Sequence, residues 1–131
     1  MRSPEVQGLL LVDLTVLLVE DELLIALDIE MMLEGRGARV CPATTVGEAL
    51  HLLRSECPDV ALLDVNLKHE LVTPVAEELR ARGIPFVVSS AHNSADLAAI
   101  TVLADAPKVS KPASERRLIA ALAEAAELPG S

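Results

Sequence analysis

The chain has 131 residues, a net charge of −9 and 51 % apolar residues, with one Phe and no Tyr or Trp. That length fits one domain with one core, and the core must be built from Leu, Val, Ile and Ala, which suits a buried parallel sheet. The acidic balance argues against nucleic-acid binding, which needs a basic face, and against anionic membrane surfaces. No apolar run reaches the ~20 residues that span a bilayer, and Asp13 and Glu20 interrupt any signal-peptide pattern, so a cytoplasmic protein is expected.

Residues 1–13 read as an N-terminal extension, whose Leu9, Leu10, Leu11 and Val12 are apolar enough to pack somewhere. From residue 14 to 127 one theme repeats: a short apolar run, a turn and an amphipathic helix. Thr15 to Val19 is a continuous apolar run that ends in Glu20 and Asp21, the pattern of a buried parallel strand. A helix is predicted from Glu22 to Glu34, stopped by Gly35, Arg36 and Gly37. On a helical wheel Ile25, Ile29, Met32 and Leu33 form a core arc. Leu24, Leu27 and Met31 form a second arc, which needs a partner of its own, either a second copy of the chain or the N-terminal extension folding back.

Arg39 to Ala43 is a second short strand. Thr45 and Glu48 form a capping box for a helix that turns Val46, Ala49, Leu50 and Leu53 inward. Asp59 to Leu63 is the third strand, with Asp64 directly after it. Thr73 and Pro74 supply an N-cap and a first-turn proline for a helix with Val75, Ala76 and Leu79 inside and Gly83 at its end. Phe86 to Ser89 is the fourth strand, a weak helix runs from about 95 to 104, and Lys108 to Ser110 is the fifth strand. Ser114 caps a last helix presenting Leu118, Leu122 and Ala125. Cys41 and Cys57 lack metal or redox spacing and read as buried, inert thiols. His51 and His69 read as surface residues.

Strict alternation of strands and helices implies a doubly wound, five-stranded parallel α/β sheet, a (βα)5 flavodoxin-like three-layer sandwich. Ligands in such sheets sit at the carboxyl ends of the strands. Those ends carry Glu20 and Asp21, Asp64, Ser89 and Ser90, and Lys111. Three carboxylates in one place repel one another, and a hard cation resolves the conflict. An all-oxygen donor set with few protein ligands suits Mg²⁺, with Mn²⁺ as a substitute. A metal on one side, the Lys111 ammonium on the other and the Ser90 hydroxyl between them form a place where a carboxylate can attack phosphorus. Asp64, at the centre, is the expected nucleophile.

Four segments, LLVEDE (Leu17 to Glu22), ALLDVNL (Ala61 to Leu67), VVSSA (Val87 to Ala91) and VSKP (Val109 to Pro112), resemble in order and spacing the receiver domain of two-component response regulators, the CheY-like fold. The resemblance covers about residues 14–127. It implies that Asp64 accepts a phosphoryl group from a histidine kinase or phosphotransfer protein. Asp21 then binds Mg²⁺ directly, Glu20 acts through water and the Asn66 carbonyl is a further ligand. Ser90 senses the phosphoryl group and Lys111 pairs with it. Asn66 and His92 would flank the hydrolytic water and tune the lifetime of the phosphoryl group; an unchanged dephosphorylation rate after His92→Ala would defeat that role. The chain ends soon after the last helix, so a stand-alone regulator signalling by protein contact is expected. It is not an enzyme acting on an outside substrate, though it catalyses its own phosphorylation and dephosphorylation.

The sequence departs from the family at Lys108, where an aromatic residue is common, and in the loop after Asp64. An alternative is therefore a receiver-like adaptor or dimerisation module that works without phosphorylation. A Mg²⁺-dependent phosphohydrolase would want a second acid two residues after the nucleophile, and that position is Asn66.

Overall fold

A computed structural model describes residues 11–65, 67, 70–90, 108–110 and 115–127. Among them are nine elements, with strand and helix alternating from β1 to β4: β1 (Thr15–Val19), α1 (Leu23–Glu34), β2 (Arg39–Ala43), α2 (Val46–Ser55), β3 (Val60–Asp64), α3 (Thr73–Arg82), β4 (Phe86–Ser90), β5 (Lys108–Ser110) and α4 (Glu115–Glu127). The five strands are all parallel and lie in the order β2-β1-β3-β4-β5. Among the described residues, no helix is long and apolar enough to cross a membrane. The predicted helix near 95–104, the Ser114 cap, His69 and residues 1–10 lie outside the described residues.

Strand alternation sends successive side chains to opposite faces, and here it builds two cores. Leu17, Val19, Ala61, Leu63 and Val88 pack with Val46, Ala49 and Leu53 of α2 and Val75, Ala76 and Leu79 of α3. Val16, Leu18, Val60, Leu62 and Val87 pack with Ala26 and Leu33 of α1 and Leu118, Ile119, Leu122 and Ala125 of α4. The result is three layers, α2 and α3 on one side of the sheet and α1 and α4 on the other. Leu11 is fully buried in the second core, and its N–H donates to the Arg36 carbonyl at the end of α1 (2.8 Å).

Local signals act largely as the residues predict. Gly37 and Gly83 take positive φ after α1 and α3, a region open to Gly because it has no Cβ. At Gly37 a Cβ would also come within 2.9 Å of the Val12 side chain. Thr45 caps α2 by accepting from the Glu48 N–H (3.0 Å). The Glu48 carboxylate turns back to Thr44, accepting from its N–H and hydroxyl (2.7 and 2.8 Å), and not to Thr45 as a capping box would have it. Those bonds hold the Glu48 carboxyl below its usual range.

Four further local expectations are corrected. The cap of α3 is Val72, in a helical conformation and with no side-chain cap bond, so Thr73 is the first helical residue. In α1 it is Ala26 that faces the core with Leu33, while Ile25 is 39 % exposed and Ile29 and Met32 are only partly buried. The third strand starts at Val60 and includes Asp64; Asp59 lies just before it, its carboxylate accepting from the Thr15 N–H (2.8 Å). Finally, Cys57 is exposed. Cys41 is buried as expected, and burial, with Glu56 nearby, pushes its thiol pKa up, which keeps it unreactive.

Candidate functional site

The site forms because two neighbouring central strands, β1 and β3, end in acids. Strand β1 stops at Val19. The next N–H, that of Glu20, donates to the carbonyl of Ala43 at the end of β2 (3.0 Å), which carries the chain over the sheet edge. Glu20 is 2 % exposed, and its carboxylate accepts from the Glu22 N–H (3.2 Å). Asp21 is half-buried. Asp64 is the last residue of β3, 4 % exposed and in register with Ser89 of β4. The following N–H, of Val65, donates to the Ser89 carbonyl (3.1 Å).

One carboxylate oxygen from each of Glu20, Asp21 and Asp64 lies within 4.8 Å of the others. At that spacing each pair of like charges repels by about 3 kcal/mol in a medium of effective dielectric near 20. The switch in strand order falls between β1 and β3, where ligands of such sheets bind. Three clustered oxygen donors, two of them buried, are the chemistry a hard divalent cation selects, so the residues present fit a Mg²⁺ ion.

Of the other predicted site residues, Ser90 closes β4, with its backbone opposite Ser110 of β5; the position of its hydroxyl is outside the structural description. Ser89, the other serine at this strand end, is buried and in register with Asp64. Asn66, His92 and Lys111 lie outside the described residues. One contact had no signal in the sequence. Glu70, in the segment after β3, accepts from the N–H of Val46 at the start of α2 (2.9 Å). The two residues are 24 apart, and no local spacing announces the pair.

Residues 16–123 match the family model for the response regulator receiver domain. The chain belongs to that family. Receiver domains are phosphoacceptors of two-component systems. Solved structures agree on the fold. A response regulator receiver protein from Sinorhizobium medicae is 24 % identical with a TM-score of 0.79, covering 90 % of this chain and 97 % of that one. A CheY-like receiver domain protein from Methanospirillum hungatei is 25 % identical with a TM-score of 0.75, covering 86 % and 93 %. A receiver domain from a Francisella response regulator is 23 % identical with a TM-score of 0.75, covering 88 % and 98 %. A comparison with curated protein sequences gives no match.

Proposed function

We propose that this receiver domain takes a phosphoryl group onto Asp64 from the phosphohistidine of a sensor kinase or phosphotransfer protein, in a Mg²⁺-dependent reaction. The supporting observation is the convergence of Glu20, Asp21 and Asp64 at the carboxyl ends of β1 and β3. An Asp64 carboxylate oxygen forms the new P–O bond as the P–N bond of the donor breaks, and the electron pair leaves with the imidazole. Glu20, Asp21, Asp64 and the Asn66 carbonyl would hold the metal. The metal, when bound, supplies positive charge for the transferring oxygens. Lys111 would add its ammonium and Ser90 its hydroxyl on the same oxygens, and Asn66 and His92 would set how fast water removes the group.

A beryllofluoride titration with Mg²⁺, read by backbone amide shifts in β4 and β5, tests this. Saturable shifts that require both components are expected. Their absence would leave the phosphorylation-independent adaptor, the reading that Lys108, in place of the family's common aromatic residue, favours.

Output would be by protein contact. On α1, Leu23, Leu24, Leu27 and Met31 are 72, 81, 50 and 64 % exposed. Fully burying one such side chain is worth about 1.5–3 kcal/mol, so this face gains from a cover. We propose that a second copy of the chain supplies it. Sedimentation is expected to give a dimer for the wild type and a monomer for Leu27→Glu. A monomer for both removes the contact.

A further inference from the structure

Helix α2 begins at Val46, and the first N–H groups of a helix have no partner within it. Thr45 accepts one of them, that of Glu48. The Glu48 carboxylate, which could have reached back, is committed to Thr44. The Val46 N–H is accepted instead by Glu70 (2.9 Å), an acid from the far side of β3. A carboxylate is a favoured acceptor there, because the helix dipole and the charge add to the hydrogen bond.

The position of this bond matters more than its strength. The turn from β2 into α2 runs from Ala43 to Val46. At its first residue it accepts the Glu20 N–H (3.0 Å). At its last it donates to Glu70. The chain that leaves Asp64 is pinned at Val65 by the Ser89 carbonyl and at Val72, which is buried. Glu70 lies between these points. One hydrogen bond, from the Val46 N–H to Glu70, therefore joins the turn beside Glu20 to the segment that follows Asp64.

We propose that Glu70 is a positioning residue for the acid cluster: its bond to the α2 N-terminus locks the turn beside Glu20 to the segment beside Asp64, and so fixes the spacing at which the acids receive the cation. This rests on the reading that Glu20, Asp21 and Asp64 hold Mg²⁺. Glu70 does not touch the metal or the phosphoryl group. It acts through the backbone of its neighbours.

Three variants separate this role from ordinary helix capping: Glu70→Ala, Glu70→Gln, which keeps an acceptor oxygen, and Thr45→Ala, which removes the other terminal bond of the same helix. Amide hydrogen exchange at Val46 in metal-free protein reports the bond itself, and Mg²⁺ titration followed by amide shifts reports its consequence. Glu70→Ala is expected to speed exchange at Val46 and to weaken Mg²⁺ binding by up to about tenfold, the ceiling set by one hydrogen bond. Glu70→Gln is expected to restore most of both. Thr45→Ala is expected to lower the melting temperature but leave Mg²⁺ affinity unchanged. Equal Mg²⁺ affinity for wild type and Glu70→Ala, or an equal loss in Thr45→Ala, overturns the positioning role while leaving the metal site standing. A wild-type protein that binds no Mg²⁺ overturns the metal reading and this one with it.

Discussion

Asp64→Asn is expected to abolish acyl phosphate formation while leaving the fold intact. The amide has no anionic oxygen to attack phosphorus, and at pH 7 it cannot acquire one. The change is nearly isosteric, which suits a residue that is 4 % exposed at the end of a buried strand. It also removes one of three clustered negative charges. Metal-free stability is therefore not expected to fall, whereas Mg²⁺ affinity is expected to drop by at least about tenfold, because charge count is the main lever on a hard cation. Incubation with acetyl phosphate and Mg²⁺, followed by mass spectrometry for the phosphoryl adduct, reads the first effect. Persistence of an adduct in the Asn variant would move the nucleophile to Glu20 or Asp21 and sink the assignment.

The second large effect is expected far from that chemistry. Leu11→Ala should destabilise the protein by about 2–5 kcal/mol, the usual cost of emptying a fully buried leucine site. Leu11 is 0 % exposed and packs among Val16, Leu18 and the α1 and α4 side chains. Proteins of this size have only about 5–15 kcal/mol to lose, so the urea midpoint should fall sharply. Val12 next to it is 56 % exposed, and Val12→Ala should cost less than about 1 kcal/mol. Similar midpoints for the two variants would show that the segment before β1 contributes nothing to the core.

Much of this molecule was legible in its residues. The strands β1, β3 and β4 were visible because each contains a short, continuous apolar run, as a sheet buried on both faces requires; β2 and β5 are mixed in polarity, and the alternation of elements points to them. The three acids were legible because each follows such a run, and the strand-end rule for α/β sheets gave them a common address. What stayed hidden depends on distance or on surplus apolarity. Helix α1 is apolar nearly all the way round, so a wheel cannot choose between Ile25 and Ala26; packing against the sheet selects Ala26. The run from Leu9 to Val12 has no periodicity, and only the contact with Arg36 and the core shows that Leu11 is anchored. Proline after threonine suggested a Thr73 cap, but the helical conformation of Val72 moves the start back by one residue. The Glu70 bond joins parts of the chain that only folding brings together.

The strand order has a consequence for biogenesis. Strands β1, β2 and β3, and with them all three acids, belong to the first 64 residues, and β4 and β5 then add outward in the order of synthesis. The first sheet face can be roofed early, by α2 and then α3. The second waits for Leu118 to Ala125 of α4. At ~5–20 residues per second on the ribosome, the apolar side of β1 and β3 stays partly bare for roughly 3–12 s after Asp64 is made. Limited proteolysis of ribosome-arrested chains of increasing length should reveal that interval, and a trigger-type chaperone would have its best chance to bind then.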